Sequence, residues 1–494
     1  MPALAIVAAV STLIVHATVV DGTGAPGRVA AVRIEQGRIA AIGELEPRPG
    51  EEVVDAAGLT LVPGFIDTHS HADGELFDHL DAIAATNQGI TTAVVGQDGD
   101  APYPLADFFA RLERTPAAIN VAAYAGHGTL RAAVMGDDYR RAATRSEVGR
   151  MRDLLGKEMD AGALGLSTGL EYDPGIYSDP KEVLALAKVA AAHGGRYISH
   201  VRSEDRNFWS AIDEIIAIGR KGRLPVQVSH IKLAMTSLWG KAPELLARLD
   251  AARAGGVDIT SDIYPYLAWH STLTVLFPKR DFSDLEEARL VVREIVQPDG
   301  LLLTQFDAHP EWVGHTLAEI AAERKAGAAE TLVELLRLSE ARRKETGDAG
   351  EGIIGTSMTE PDLEKLMAWP HANICTDGSL DGEHPRGYGS FTRVLGRYVR
   401  ERRVMTLEEA VHKMTALAAA HVGITDRGLV REGMAADLVL LDPATVIDHA
   451  TMTAPHAISD GVRSVWVNGA VVYADGKATA QRPGTAIKRA PAAR

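Results

Sequence analysis

Apolar positions along the chain change their period twice. From residue 12 to about 60 they fall in short runs, Leu13 to Val20, Val29 to Ile34 and Ile39 to Ile42, with turns at Asp21-Gly22-Thr23-Gly24 and Gln36-Gly37. Such runs bounded by glycine turns predict β-strands. The same character returns from about Gly428 to Thr485, in Ala436 to Leu441, Val462 to Val467 and Val471-Val472-Tyr473. Asn468-Gly469 between two of these runs is a hairpin signal. Between the two ends, strand-like runs alternate with helical patterns. The strands are Thr91 to Val95, Leu164 to Leu166, Tyr197 to Ser199, Val226 to Ser229, Val257 to Thr260 and Asn373 to Cys375. Pro180 to Ala192 and Asn207 to Lys221 carry apolar residues at i, i+3 and i+4, the helical spacing.

Repeated β-then-α order predicts an α/β protein with a parallel sheet, and this length favours a (β/α)8 TIM-like barrel over an open sheet. The barrel is expected over residues 61–425. Residues 1–60 and 426–485 are expected to join as one small β-sandwich domain. A stretch at about 276–350 breaks the rhythm; it is mostly amphipathic helix, Ala328 to Arg343 included, and reads as an insertion of lid type. The Ala-, Pro- and basic-rich tail at 486–494 is expected to be disordered. The chain has no internal repeat, no P-loop and no Gly-x-Gly-x-x-Gly cradle.

Composition narrows the function classes. Of 494 residues, 46% are hydrophobic, enough for a large core. The net charge of −15 argues against nonspecific binding to nucleic acid or an anionic membrane. Cys375 is the only cysteine, which excludes an intrachain disulfide and any cysteine-cluster metal site. Met1 to Val10 is apolar but lacks the basic start of a signal peptide, and no later run is long enough for a membrane-spanning helix. A cytoplasmic location is the expectation. Oligomeric state has no signature here.

The candidate chemistry begins at His69-Ser70-His71. Leu59 to Ile66 reads as one buried strand, and the two histidines fall just past its end. In extended backbone, residues i and i+2 share a side, so both imidazoles are able to converge on one divalent metal. An isolated pair of this kind carries little weight. Four later strand ends add the missing support: Asp98 after Thr91 to Val95, His200 after Tyr197 to Ser199, His230 after Val226 to Ser229, and Asp377 after Asn373 to Cys375. Active sites of parallel barrels sit at those ends. Five strand ends each supplying a His or Asp are poorly explained by turn preferences alone. His79, His127, His193, His270, His315 and His384 lack that grouping and read as surface or satisfied polar residues.

Several phrases carry a family resemblance. They are Pro63 to His71, Gln88-Gly89-Ile90-Thr91-Thr92, Gly162 to Tyr172, Ile198-Ser199-His200-Val201-Arg202 and Ser229-His230-Ile231-Lys232. Tyr264-Pro265-Tyr266, His384-Pro385-Arg386 with Tyr388-Gly389, and Gly433 to Val439 complete the set. By these the chain resembles the amidohydrolase superfamily and, within it, the N-acyl-D-amino-acid deacylases. The resemblance implies a zinc site held by His200 and His230 with a bridging residue after the second strand, and a second, often weaker, position completed by His69 and His71. One or two zinc ions are implied, with manganese or cobalt as alternatives. The family phrase after that strand ends in Asn-Cys-Gly, whereas this chain has Gln97-Asp98-Gly99. Aspartate is a harder ligand that favours manganese or cobalt more than a thiolate does. Glu171 is a further candidate ligand. A carbamylated lysine bridge is not expected, since no lysine lies between Ala161 and Pro180.

The implied reaction is metal-assisted hydrolysis of a small N-acyl amino acid. Asp377 is the expected general base, taking the water's proton and handing it to the leaving amine. Lys232 and Arg386 are candidates for the substrate carboxylate, and Tyr264 for a hydroxyl donor, with Tyr266 and Ser271 nearby. Trp269-His270 is a candidate wall for the acyl or side-chain pocket. The competing readings are another amide, such as a D-residue dipeptide or a cyclic amide, a deamination, and a non-catalytic binding protein on the same fold.

Overall fold

Leu59 to Ile66, expected as one strand, breaks at Gly64 into Thr60–Pro63 and Phe65–Asp67 in the computed structural model, which describes residues 11–490. The break is where the chain passes from one sheet to another. Thr60–Pro63 pairs antiparallel with Leu438–Leu441, whereas Phe65–Asp67 pairs parallel with Ile90–Val95. Position 64 has no room for a side chain: an added Cβ would lie 2.2 Å from Thr91 Oγ1.

The parallel layer comprises β1 (Phe65–Asp67), β2 (Ile90–Val95), β3 (Asn120–Ala123, continued as Ala125–Gly126), β4 (Gly165–Gly169), β5 (Arg196–His200), β6 (Val226–Val228), β7 (Ile259–Ile263) and β8 (Ala372–Ile374). Hydrogen bonding runs β1-β2-β3 and then from Ala125–Gly126 through β4, β5, β6 and β7 to β8. The last strand returns to the first. Asp377 N–H donates to the His69 carbonyl at 2.8 Å, and His71 N–H to the Gly378 carbonyl at 2.9 Å. Every residue of β2, β4, β6, β7 and β8 is buried, as strands covered on both faces require. Helices lie between consecutive strands. Pro180–Ala192 opens with proline after the Asp179 cap, and Phe208–Gly222 buries Phe208, Ile212 and Ile215. The molecule is mixed α/β.

The two ends of the chain form one nine-stranded sheet, not two separately bonded layers, with its own core of Ile14, Val32, Leu61, Leu438 and Trp466. The insertion is wider than the amphipathic pattern indicated. Its centre is a three-stranded antiparallel sheet in which Glu351–Thr356 lies between Ala268–Ser271 and Leu301–Phe306. Trp269, Leu273, Leu301, Leu335 and Ile353 share a separate core there. Its strands were missed because short runs beside long helical patterns carry little periodic signal.

The tail also differs from expectation. Ala486 bridges Val121, Ile487 N–H donates to the Val121 carbonyl at 2.8 Å, and Arg489 N–H donates to the Gly162 carbonyl at 2.9 Å. Residues 486–490 are therefore ordered along the strand starts, held by backbone bonds that composition does not reveal. The expectations for Met1 to Val10 and for 491–494 lie outside the described residues. Among the described residues no helix is long and apolar enough to cross a membrane.

Candidate metal centre

The strand ends deliver the ligand-type side chains to one place. His200 is the last residue of β5; His69, His230, Asp98 and Asp377 follow β1, β6, β2 and β8 within a few residues. Three of them sit in left-handed backbone, Asp98 at φ 52°, His230 at φ 34° and Asp377 at φ 48°. Aspartate tolerates this conformation better than most residues. For His230 it is local strain, of the kind that concentrates at functional sites.

Asp98 is the hinge of the cluster. Its Oδ2 lies 3.5 Å from His69 Nε2, 3.7 Å from His71 Nε2 and 3.4 Å from His230 Nε2. His200 Nδ1 and His230 Nε2 face one another at 3.1 Å. On the other flank, Asp377 Oδ1 lies 3.2 Å from His71 Nε2 and 3.4 Å from His69 Nε2. Three groups result among the described residues: His69, His71, Asp98 and Asp377; Asp98, His200 and His230; and Glu171, His200 and Glu204. Asp98 links the first two and His200 the last two.

This donor set fits a divalent metal. Both ring nitrogens of the fully buried His69 and Oδ1 of Asp98 have no hydrogen-bond partner. Buried polar atoms of that kind are rare unless an ion or water serves them. Two nitrogens holding one tetrahedral zinc at about 2.0–2.1 Å would stand about 3.3 Å apart, close to the spacings seen here. All five metal residues expected from sequence are brought together. Asp377 joins them at hydrogen-bond range of His71, and no cysteine takes part, since Cys375 points its thiol at Asp262, 3.3 Å away.

Behind the histidines stand two carboxylates. Glu171 Oε2 is 3.0 Å from His200 Nε2, on the opposite edge of the ring from His230. Glu204 Oε1 is 3.1 Å from His230 Nδ1 and 2.6 Å from Lys232 Nζ, and the Glu204 N–H donates to Glu171 at 2.9 Å. Glu204 was not legible as a site residue. The only signal was an acid in the loop after His200. Tyr172 was also missed; its ring centre is 4.5 Å from that of His200.

Electrostatics follow from the packing. Burial pushes the His71 and His230 imidazoles down, and the Lys232 charge adds to it at His230, but Asp377 and Asp98 for the first, and Asp98, Asp377 and Glu204 for the second, outweigh it, and both rise to about 9. Burial pushes Asp377 up, yet Arg386, whose Nη1 is 2.7 Å from Oδ2, and the histidines hold it well below the carboxylate range. Burial and the Arg386 charge lower His270 to about 4, so it is neutral. The Tyr264 hydroxyl is buried without a partner beneath the Arg386 guanidinium.

Two cavity lobes meet here. A 470 Å³ lobe is lined by His71, Asp98, Tyr172, His270, Asp377 and Arg386 among others. A smaller 50 Å³ lobe shares Tyr172, His270, Asp377 and Arg386 and adds His200, His230, Lys232 and the insertion residue Trp269.

Parallel strands that bring histidines and aspartates to one buried point have the architecture of metal-dependent hydrolases. The chain belongs to the amidohydrolase family, whose model matches residues 52–297 and 371–473; the unmatched gap covers much of the insertion and the helix Glu360–Ala368 that precedes β8. It is 36% identical to a D-aminoacylase of Alcaligenes xylosoxydans xylosoxydans, over 97% of this chain and 98% of that one. It is 39% identical to an N-acyl-D-glutamate deacylase of the same organism, over 95% of each. Among solved structures, an N-acyl-D-glutamate deacylase from Bordetella bronchiseptica, complexed with zinc and a phosphonate mimic of the tetrahedral intermediate, superposes with a TM-score of 0.85. The alignment is 38% identical and covers 97% of this chain and all of that one.

Proposed function

We propose that the protein is a metal-dependent deacylase that hydrolyses N-acyl-D-amino acids to a D-amino acid and a carboxylic acid, on a (β/α)8 barrel. The observation that carries the reading is the convergence of His69, His71, Asp98, His200, His230 and Asp377, in a chain related along nearly its whole length to such deacylases. The hydrogen bonds that return β8 to β1 support a closed barrel.

His200, His230 and Asp98 would hold one zinc ion, and His69 and His71 with Asp98 a second. The metal, when bound, lowers the pKa of a water to about 7 and polarises the amide carbonyl. Asp377 Oδ1 faces the point where the two groups meet, so it accepts the attacking water's proton and passes it to the leaving amine nitrogen. Arg386 holds the other Asp377 oxygen and keeps the base ionised. The free edge of the Arg386 guanidinium and the unpartnered Tyr264 hydroxyl serve the substrate carboxylate. Lys232 joins them as a cation already half-neutralised by Glu204. Glu171 and Glu204 orient His200 and His230.

The test is a panel of N-acetyl-D and N-acetyl-L amino acids assayed with zinc-, cobalt- and manganese-loaded protein. Hydrolysis of D substrates is expected. Absence of D-substrate turnover with every metal would reject the deacylase reading.

A further inference from the structure

A further cavity, of 870 Å³, opens between the insertion and the loop after β4. Part of its wall is one face of the insertion helix Ala328–Thr346. Val333, Arg337, Ala341 and Lys344 line it at spacings of three or four residues, so they share a side of that helix. The cavity carries five basic residues against three acidic ones, in a chain whose net charge is −15. Two of the cations are spent. Arg280 Nε donates to Asp173 Oδ1 at 2.9 Å, and Arg343 Nε lies 3.3 Å from Glu340 Oε1. Arg140, Arg337 and Lys344 are exposed and have no carboxylate partner among the described residues. A cationic concavity on an acidic protein draws in anions.

Its position relative to the metal centre selects the anion. Tyr172 and Asp173 line both this cavity and the 470 Å³ lobe, so the two are continuous. In the deacylase the substrate's α-carboxylate sits with Lys232 and Arg386, and Lys232 lines the small lobe but not the larger one. The acyl group leaves the scissile carbonyl away from the amine nitrogen, hence away from that carboxylate and into the 470 Å³ lobe. A negative charge on the acyl group has no free cation there. Asp98, Asp100, Asp173 and Asp377 line that lobe, and its Arg386 is already bound to Asp377. The free cations stand beyond it, in the cavity of Arg140, Arg337 and Lys344.

We infer that this cavity binds the far end of the acyl group, and that the chain favours N-acyl-D-amino acids whose acyl group ends in a carboxylate. The inference rests on the deacylase reading and narrows its acyl half. The chemistry is unchanged. Water's oxygen joins the acyl carbon, the C–N bond breaks, the amine nitrogen takes the proton carried by Asp377, and a dicarboxylic acid leaves with the D-amino acid. Guanidinium and ammonium groups are the natural partners of the second carboxylate.

The test compares kcat/KM for matched acyl pairs on zinc-loaded protein, using the D-amino acid that is turned over fastest in the panel above. The pairs are succinyl with butyryl, glutaryl with valeryl, and adipoyl with hexanoyl. In at least one pair the dicarboxylic member is expected to exceed its partner about 5–10-fold at low salt, since each solvated cation contributes a few-fold. Raising NaCl from about 20 mM to about 500 mM should bring that ratio towards 1. Arg337→Glu and Lys344→Glu should each cut the ratio by about 3-fold or more, with Arg140→Glu as a further variant should either not fold. Alkanoyl substrates equal to or faster than their dicarboxylic partners at every length would overturn the inference and leave the deacylase reading standing. A dicarboxylate preference that survives the folded substitutions would also overturn it, by placing the acyl carboxylate elsewhere. No turnover of any D substrate, acetyl included, would remove both.

Discussion

The two halves of the metal centre share Asp98 but are supported differently. His200 and His230 are buried, and each has a carboxylate behind the ring edge that faces away from the other: Glu171 at 3.0 Å and Glu204 at 3.1 Å, the latter shared with Lys232, whose Nζ lies 2.7 Å from the same His230 nitrogen. Those two acids are in turn linked through the Glu204 N–H. His69 is equally buried, yet its nearest carboxylate behind Nδ1, Asp262, is 3.7 Å away, beyond a hydrogen bond. The His71 side chain is 38% exposed. A partner on the far nitrogen fixes tautomer and ring orientation and raises ligand basicity. The half with that support has the means to bind metal tightly, and on the proposed reading the other half would bind more weakly with the same residue types.

The comparison breaks most directly by deleting one ligand from each half. His230→Ala is expected to abolish stoichiometric zinc and lower turnover on the order of 10³-fold or more. His71→Ala should leave one tightly held zinc, measured by elemental analysis after dialysis. Equal metal loss in the two variants would show that the halves are equivalent. Asp377→Asn separates chemistry from binding: turnover should fall about 10²–10⁴-fold while His200, His230 and Asp98 keep their zinc. A smaller effect sharpens the cause. Glu204→Gln retains the shape but weakens the charge behind His230, and zinc affinity should drop about 10–100-fold by chelator competition. No drop would mean that the carboxylate contributes nothing to the tight half.

The half backed by carboxylates was also the more legible one. His200 and His230 stand at strand ends that apolar runs mark clearly, and the expected ligands arrive together because a two-residue period and parallel order leave few other places for them. Asp98 was legible for another reason: an acid next to Gly99 in a turn at a strand end has little packing use, and its left-handed backbone agrees with a turn there. What stands behind the ligands was not legible. Glu204 meets His230 across two different loops, and nothing in the periodicity of either loop encodes that contact. The insertion was visible as helix but not as the wall of the small lobe, because Trp269 and Leu276 are brought there by strand pairing between Ala268–Ser271 and Glu351–Thr356. The ordered tail has the same origin, since backbone bonds to Val121 are independent of side-chain type.

The smallest effect concerns stability and again separates the halves. In the metal-free protein His230 is 2% exposed and its imidazole is raised from about 6.5 to about 9. The folded state then holds a proton that the unfolded chain releases. Its stabilisation is complete below about pH 6.5 and is lost as pH rises to about 9, with a size on the order of 3 kcal/mol. His71 is raised to the same value, but solvent around its exposed side chain screens the interaction, so its share is smaller. Metal competes for these protons, so zinc affinity should weaken as pH falls below 9, with protons released on binding. Thermal unfolding of chelator-treated protein between pH 6.5 and 9 is expected to show a falling Tm. His230→Gln should flatten that slope more than His71→Gln does. The reverse order would place the stronger carboxylate coupling in the half that contains His71, and the asymmetry between the halves would then need a cause other than Glu204.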